Sequence, residues 1–150
     1  MEILVVPHPT LRQKALGVSK LTPALFSLIK DMEKVLIDKD AVGLAAPQIG
    51  ESLRLILVRT GDPKEPIRAF SDPVVVCYRG SIEEKVEGCL SLPGELYKVP
   101  RHQEVRVRSR GKTEWFSGLT ARILQHEMDH LDGVLISDIG VRVESNENMG

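Results

Sequence analysis

The spacing of apolar positions changes several times along the chain, and each change marks an element. "ILVV" at 3–6 is a short apolar run ended by Pro7 and Pro9, which predicts a first strand. "TLRQKA" at 10–15 predicts one helical turn with Thr10 as its N-cap. Within "LTPALFSLIKDMEKVLIDKD", Leu25, Leu28, Ile29, Met32, Val35 and Leu36 recur at three- and four-residue spacing. That stripe predicts a long core-packed helix, with Thr22 as cap and Pro23 at its first position. "AVGLAAPQIG" at 41–50, small and punctuated by Gly and Pro, reads as a loop with extended backbone. "LRLILVR" at 53–59 predicts a half-buried strand, "GDPKEP" at 61–66 a turn, and "IRAFSDPVVVCYRG" at 67–80 one or two strands. "SIEEKVEGCLSLPG" at 81–94 reads as a short strand entering a loop. "EVRVRSR" at 104–110 alternates strictly, and "RGKTEW" at 110–115 supplies a hairpin turn into a further strand. "SGLTARILQHEMDHLDG" at 117–133 predicts the second helix, capped by Ser117 and closed by Gly133 in a left-handed position. The polar segment "ESNENMG" at 144–150 reads as a frayed, disordered tail.

Two helices among strands with short connections predict an α+β fold with antiparallel pairing, since the connections are too short for a series of parallel crossovers. A length of 150 residues fits one domain, 1–150. Hydrophobic residues at 42% and charged residues at 27% argue against disorder. The net charge of −1 comes without a basic run, so direct nucleic-acid binding is not expected. Arg106, Arg108 and Arg110 read as the solvent face of a strand. No stretch approaches the roughly 18 apolar residues of a membrane span. The start "MEILVVPHPT" lacks the basic opening and cleavage site of a secretory leader. Two cysteines make no disulfide framework, so the cytoplasm is the expected compartment.

The second helix carries the chemistry. "QHEMDH" contains His-Glu-x-x-His, which places His126 and His130 four apart on one helical face. Both imidazoles can point at one ion, and Glu127 can reach a water beside it without ligating. An ion there lowers the water's pKa while the carboxylate takes its proton. The bland alternative is two surface histidines on an amphipathic helix. Leu119 and Ile123 fall on the same face and would wall the site with hydrocarbon. A third ligand decides between the two. Downstream stand only Asp138, Glu144 and Glu147, in or near the tail. Upstream, Cys89 lies in the Gly-flanked loop "EGCLSLPG", whereas Cys77, inside "PVVVCY", reads as a buried structural cysteine. Cys89, His126 and His130 would leave one tetrahedral position open, the catalytic pattern, and would admit Fe²⁺ as well as Zn²⁺.

Three segments together, "GLAAPQ" (43–48), "EGCLS" (87–91) and "QHEMDH" (125–130), resemble the signature motifs of the peptide deformylase family, in that family's order. "ILVVPHPTLRQKA" is similar to its opening, so the resemblance runs from about residue 3 to residue 139. It implies antiparallel sheets around a central helix bearing the two histidines, and removal of the formyl group from the initiator methionine of nascent polypeptides. It implies one divalent ion on Cys89, His126 and His130, Fe²⁺ in the cell, with Zn²⁺, Ni²⁺ or Co²⁺ able to replace it in a purified sample. Glu127 would be the general acid/base, and Gln48 with the Leu90 N–H would hold the formyl oxygen. Gly43, with Val42, would bind an extended substrate backbone. Val42, Leu90, Leu119 and Ile123 are the candidates for the methionine pocket.

Some positions depart from the family pattern. Ala41 stands where the first motif usually begins with glycine. Arg122 stands where many bacterial members look apolar, and reads either as the rim of the substrate groove or, preferably, as a helix-surface arginine. Glu87 and Arg101 flank the Cys89 loop, either as an ion pair or as two unrelated solvated side chains. The segment "GVRVESNENMG" is acidic and short, so ribosome docking through a basic C-terminal helix is not expected. The rivals are a zinc endopeptidase, which needs a downstream ligand, and a non-enzymatic module with a structural metal. Glu127→Gln separates the latter, since a structural site would not notice it.

Overall fold

The computed structural model describes residues 2–60 and 64–144. Residues 61–63 of the expected turn and 145–150 of the expected tail, Glu147 included, lie outside the described residues. The elements are α1 (Pro23–Asp38), β1 (Gly43–Ala45), β2 (Leu55–Val58), β3 (Arg68–Ser71), β4 (Val74–Gly88), β5 (Leu96–Ser109), β6 (Lys112–Ser117), α2 (Gly118–Leu131), α3 (Ile136–Ile139) and β7 (Val141–Val143). Short 3-10 turns cover Pro9–Arg12 and Ala46–Ile49.

All strand pairing within the sheets is antiparallel. One sheet runs β1-β2-β3, and a second runs β4-β5-β6 with β7 also paired to β5. The helix α2 packs between them. Its Ala121, Ile123, Leu124 and Leu131 share one core with Ile56, Val58 and Phe70 of the first sheet and Val105 and Val107 of the second. Alternate β2 residues, Leu55 and Leu57, face the other way into the stripe of α1, with Leu25, Met32, Val35 and Leu36. Strand β2 is therefore buried on both faces, which is why it reads as the unbroken run "LILV". Burying each such leucine contributes about 1.5–3 kcal/mol, so α2 is pinned from two sides.

Local signals explain the element ends. Thr22 Oγ1 accepts from the Leu25 N–H at 3.1 Å and Pro23 opens α1. At the far end of α2, Gly133 has φ +74; its N–H donates to the His130 carbonyl, and Val134 donates to that of Asp129. A Cβ at Gly133 would lie 2.5 Å from the Arg12 carbonyl oxygen, so both sterics and dihedral demand glycine there. Arg110 and Gly111, at φ +53 and +76, form the two-residue turn joining β5 to β6.

Several expectations change. Residues 3–6 form no strand: Leu4 N–H donates to the Gln48 carbonyl (2.7 Å) and Val6 N–H to that of Ser91 (3.0 Å), two separate partners and no ladder. The first helical turn begins at Pro9 and is capped by His8, whose Nδ1 accepts from Thr10 N–H; the ring-fixed φ of Pro9 makes it the first helical residue, displacing Thr10 as the cap. Ser117 occupies the N-cap position of α2 without a side-chain bond. The "loop" at 41–50 contains β1, and β4 is one strand of 15 residues with register shifts between Val75 and Cys77 and between Arg79 and Ile82. The first shift sets Cys77 opposite the exposed Arg106, so Cys77 is exposed and not a buried structural cysteine. Arg106 and Arg108 do occupy the solvent face of β5, opposite the buried Val105 and Val107.

Candidate metal centre and hydrolytic site

Three chain segments meet at the exposed edge of β1. The middle of α2 brings His126, Glu127 and His130. The turn after β4 brings Cys89 and Leu90, and the 3-10 turn after β1 brings Gln48. One ligand atom each from Cys89, His126 and His130 lie within 4.8 Å of one another. Cys89 Sγ is 3.4 Å from His130 Nε2, and the two imidazoles are 5.2 Å apart between centroids. Metal bonds of about 2.3 Å to sulfur and 2.1 Å to nitrogen in a tetrahedron would set donors roughly 3.5 Å apart, so the set fits a divalent ion. His126 gives its Nδ1 to Glu87 Oε1 at 2.9 Å, which leaves Nε2 for the ion. The downstream candidate Asp138 is spent elsewhere, on Arg12 and on the Leu135 N–H.

Charge supports the same fit. Burial opposes a proton on His126, yet Glu127, Cys89 and Glu87 around it outweigh burial and push its pKa up to about 10. His130 goes the other way, down to about 3, through burial and the neighbouring His126 and Arg101. The positive charge among these acceptors therefore falls on His126, and a bound cation would take over that place. Burial raises Glu87, but bonds from His126 and Arg101 outweigh it and hold it at about 2.

Glu127 is 5% exposed, and its Oε1 is buried with no partner among the described residues. Burial pushes its pKa up to about 7; His126 and Arg101 pull against this, and Glu87 and Asp129 add to it. A carboxyl near neutrality can both take and return a proton at working pH. Gly43 lets β1 approach it: a Cβ there would lie 2.5 Å from Glu127 Oε2 and 2.9 Å from Ile123 Cγ2.

Gln48 is 2% exposed and fixed at both ends of its amide. Its Oε1 accepts from Ala45 N–H (3.0 Å), and its Nε2 donates to Ser91 Oγ (3.2 Å) and faces Cys89 Sγ (3.8 Å). The Leu90 N–H has no partner among the described residues. One amide donor thus faces the sulfur ligand, and the N–H of the residue after that ligand is free among the described residues. Ile123 is buried against β1, whereas Val42 and Leu119 are 46% and 59% exposed. Leu119, two helical turns before His126, lines a cavity of about 310 Å³ with Lys85, Arg122 and Glu83.

Glu87 and Arg101 form a buried ion pair, at 2.9 and 3.0 Å, and Arg101 also reaches Asp129 at 2.6 Å. Arg122 is not a solvated helix-surface arginine: its head is drawn inward onto Glu87, at the wall of the cavity that Leu119 lines. Sequence reasoning missed Ser91 and Asp129. The Asp129 signal was present: it lies three residues from His126, close enough on the helix for a partner of Arg101 to be looked for there.

The polypeptide deformylase family profile matches residues 1–146. A peptide deformylase of Symbiobacterium thermophilum is 40% identical over 143 residues, covering 92% of this chain and 65% of that protein's length. One of Dictyoglomus turgidum is 39% identical over 146 residues, covering 94% of this chain and 93% of its own. The crystal structure of a peptide deformylase from Synechococcus elongatus in complex with actinonin matches with a TM-score of 0.88 at 35% identity, covering 99% of this chain and 85% of that one.

Proposed function

The chain belongs to the polypeptide deformylase family and carries its deformylating activity, and from that premise we propose which residues perform it. Cys89, His126 and His130 would hold one divalent ion, Fe²⁺ in the cell. When bound, that ion supplies Lewis-acid chemistry, acidifying a water and polarising the formyl group.

The remaining work falls to the chain. Glu127 takes the proton of the attacking water and later gives it to the amine nitrogen as the bond to the formyl carbon breaks. Gln48 Nε2 and the Leu90 N–H donate to the formyl oxygen as negative charge grows on it, and the Gln48 amide is fixed in advance by Ala45 and Ser91, so little reorganisation opposes it. Strand β1 is a sheet edge, since β2 occupies only one of its sides. The substrate backbone adds there as an extended strand beside Gly43. Val42, Leu90, Leu119 and Ile123 receive the methionine side chain; Leu119, at the cavity it shares with Arg122, stands at the outer end of that set, and the exposure of Val42 and Leu119 suits residues that meet an apolar ligand. The substrates are formyl-methionyl ends of nascent chains, met in the cytoplasm. We read 1–150 as one catalytic domain. No helix among the described residues is long and apolar enough to cross a membrane.

The observation that carries this reading is the unpartnered, buried carboxyl of Glu127 beside a Cys/His/His donor set. The test is Glu127→Gln, assayed anaerobically on a formyl-Met peptide with metal analysis of the same sample. Metal content should stay at the wild-type level while formate release falls at least about 100-fold. Undiminished formate release would remove Glu127 from the mechanism. A fully metallated wild type that releases no formate would overturn the assignment.

A further inference from the structure

Helix α2 presents Arg122 one turn before His126, on the face that carries both histidines. The side chain is only 11% exposed. Its Nη1 donates to Glu87 Oε2 at 2.6 Å and to the Val99 carbonyl at 3.0 Å, and its Nη2 donates to the Glu83 carbonyl at 2.7 Å. One guanidinium therefore ties the catalytic helix to β4 and β5 together. It also completes a cage around Glu87. Arg101 chelates that carboxylate, Nε to Oε2 and Nη2 to Oε1. Arg122 takes the second acceptor position of Oε2, and His126 Nδ1 faces the second position of Oε1.

We propose that Arg122 is a positioning residue for the metal centre: by filling Glu87 Oε2 it fixes the carboxylate plane, and with it the ring orientation of His126. The proposal rests on the metal-ligand reading above. A carboxylate has about four acceptor sites, and here each has a partner. Full occupancy leaves Glu87 a single orientation. Without Arg122, Oε2 keeps an empty acceptor site in a buried place, and rotating the carboxylate to fill it carries Oε1 off His126. Arg101 alone does not prevent this, because it is shared with Asp129. Groups that orient a ligating histidine commonly change metal affinity about 10–100-fold. Arg122 acts one step further out, so the low end, about tenfold, is the expectation.

The rival role is a bolt between helix and sheet, which would change thermal stability alone. The experiment compares Arg122→Leu, Arg122→Lys and, as a remote ion-pair control, Arg68→Leu, each stripped of metal and titrated with Co²⁺ against a chelator. The visible spectrum of bound Co²⁺ is recorded, and kcat and KM are measured on a formyl-Met peptide. Arg122→Leu should bind Co²⁺ about tenfold more weakly, with an altered spectrum, and should lose kcat more than it raises KM. Arg122→Lys keeps a cation within reach of Glu87 and should restore most of the affinity. Arg68→Leu, which removes the Arg68–Glu114 pair and the guanidinium over Phe70 and Phe116 but no contact to Glu87 or the ligands, should change none of these. Wild-type affinity and spectrum in Arg122→Leu, whatever its melting temperature, would overturn the proposal. If that variant does not fold, Arg122→Gln replaces it, and equal Co²⁺ affinity in the Gln and Lys variants would overturn it too. Wild-type protein that binds no Co²⁺ would instead sink the metal-centre reading itself.

Discussion

Gly43→Ala tests whether the close approach of β1 is what places the Glu127 carboxyl. A Cβ at this position would lie 2.5 Å from Glu127 Oε2 and 2.9 Å from both Glu127 Cγ and Ile123 Cγ2. Ordinary contact begins near 3.4 Å, so Oε2 must retreat by about 0.9 Å or β1 must lift off α2. Ile123 is 5% exposed and packed in the shared core, so it has little room to yield. The side chain free to move is Glu127, whose Oε1 is unpartnered. A displacement of about 1 Å at a reacting group can cost about 100-fold in rate, or about 2.7 kcal/mol of barrier. Overpacking adds about 1–3 kcal/mol of lost stability. The assay is kcat/KM on a formyl-Met peptide, with metal content and melting temperature measured alongside. The expected result is a 10- to 100-fold loss at full metal content, with a modest fall in melting temperature. Gly17→Ala is the control: its Cβ would meet Asp72 at an ordinary 3.6 Å, so activity should hold. Wild-type kcat/KM in Gly43→Ala would refute the claim that β1 positions the general base.

Two further outcomes follow from the site's charges and sulfur. Glu87 is held at about 2 against an ordinary 4.5, a depressed carboxylate; its contribution is whole above pH 4.5 and is lost as pH falls towards 2. That contribution is on the order of 3 kcal/mol, so urea unfolding should weaken between pH 5 and pH 3 in wild type and flatten in Glu87→Gln; parallel slopes in the two proteins would count against it. Cys77→Ser should leave metal content and rate unchanged because Cys77 is exposed and outside the ligand group, while Cys89→Ser should lose its metal on gel filtration. Stoichiometric metal in Cys89→Ser would remove the thiolate from the ligand set.

What could be read from the sequence was whatever depends on local spacing. His126, Glu127 and His130 were legible because a helix converts four-residue spacing into a shared face. Cys89 was legible because glycine-flanked loops rarely bury a cysteine for packing. The surroundings of the ligands were not legible. Whether Glu87 meets Arg101 depends on the register of β4 on β5, in which Glu83 and not Glu87 is the cross-strand partner of Arg101. The same dependence hid the exposure of Cys77, since one irregular step in β4 moves it to the solvent side. Arg122 misled because arginine on a helix is ordinarily solvated, and only the carboxylate and two carbonyls beneath it draw it inward.

The segment before α1 holds more than its own place. Leu4 bonds to the turn that carries Gln48, Val6 to the turn that carries Cys89 and Leu90, and Ala15 to the last residue of α2, at the Leu131 carbonyl. None of these partners is near in sequence, so each bond closes a long loop, and such closures are the slow events of folding. One strap of chain thus holds the turn of Gln48, the turn of Cys89 and the end of the histidine helix at once. The oxyanion donors and the metal ligands share a common tether made through backbone hydrogen bonds, so loosening it would disturb all of them together.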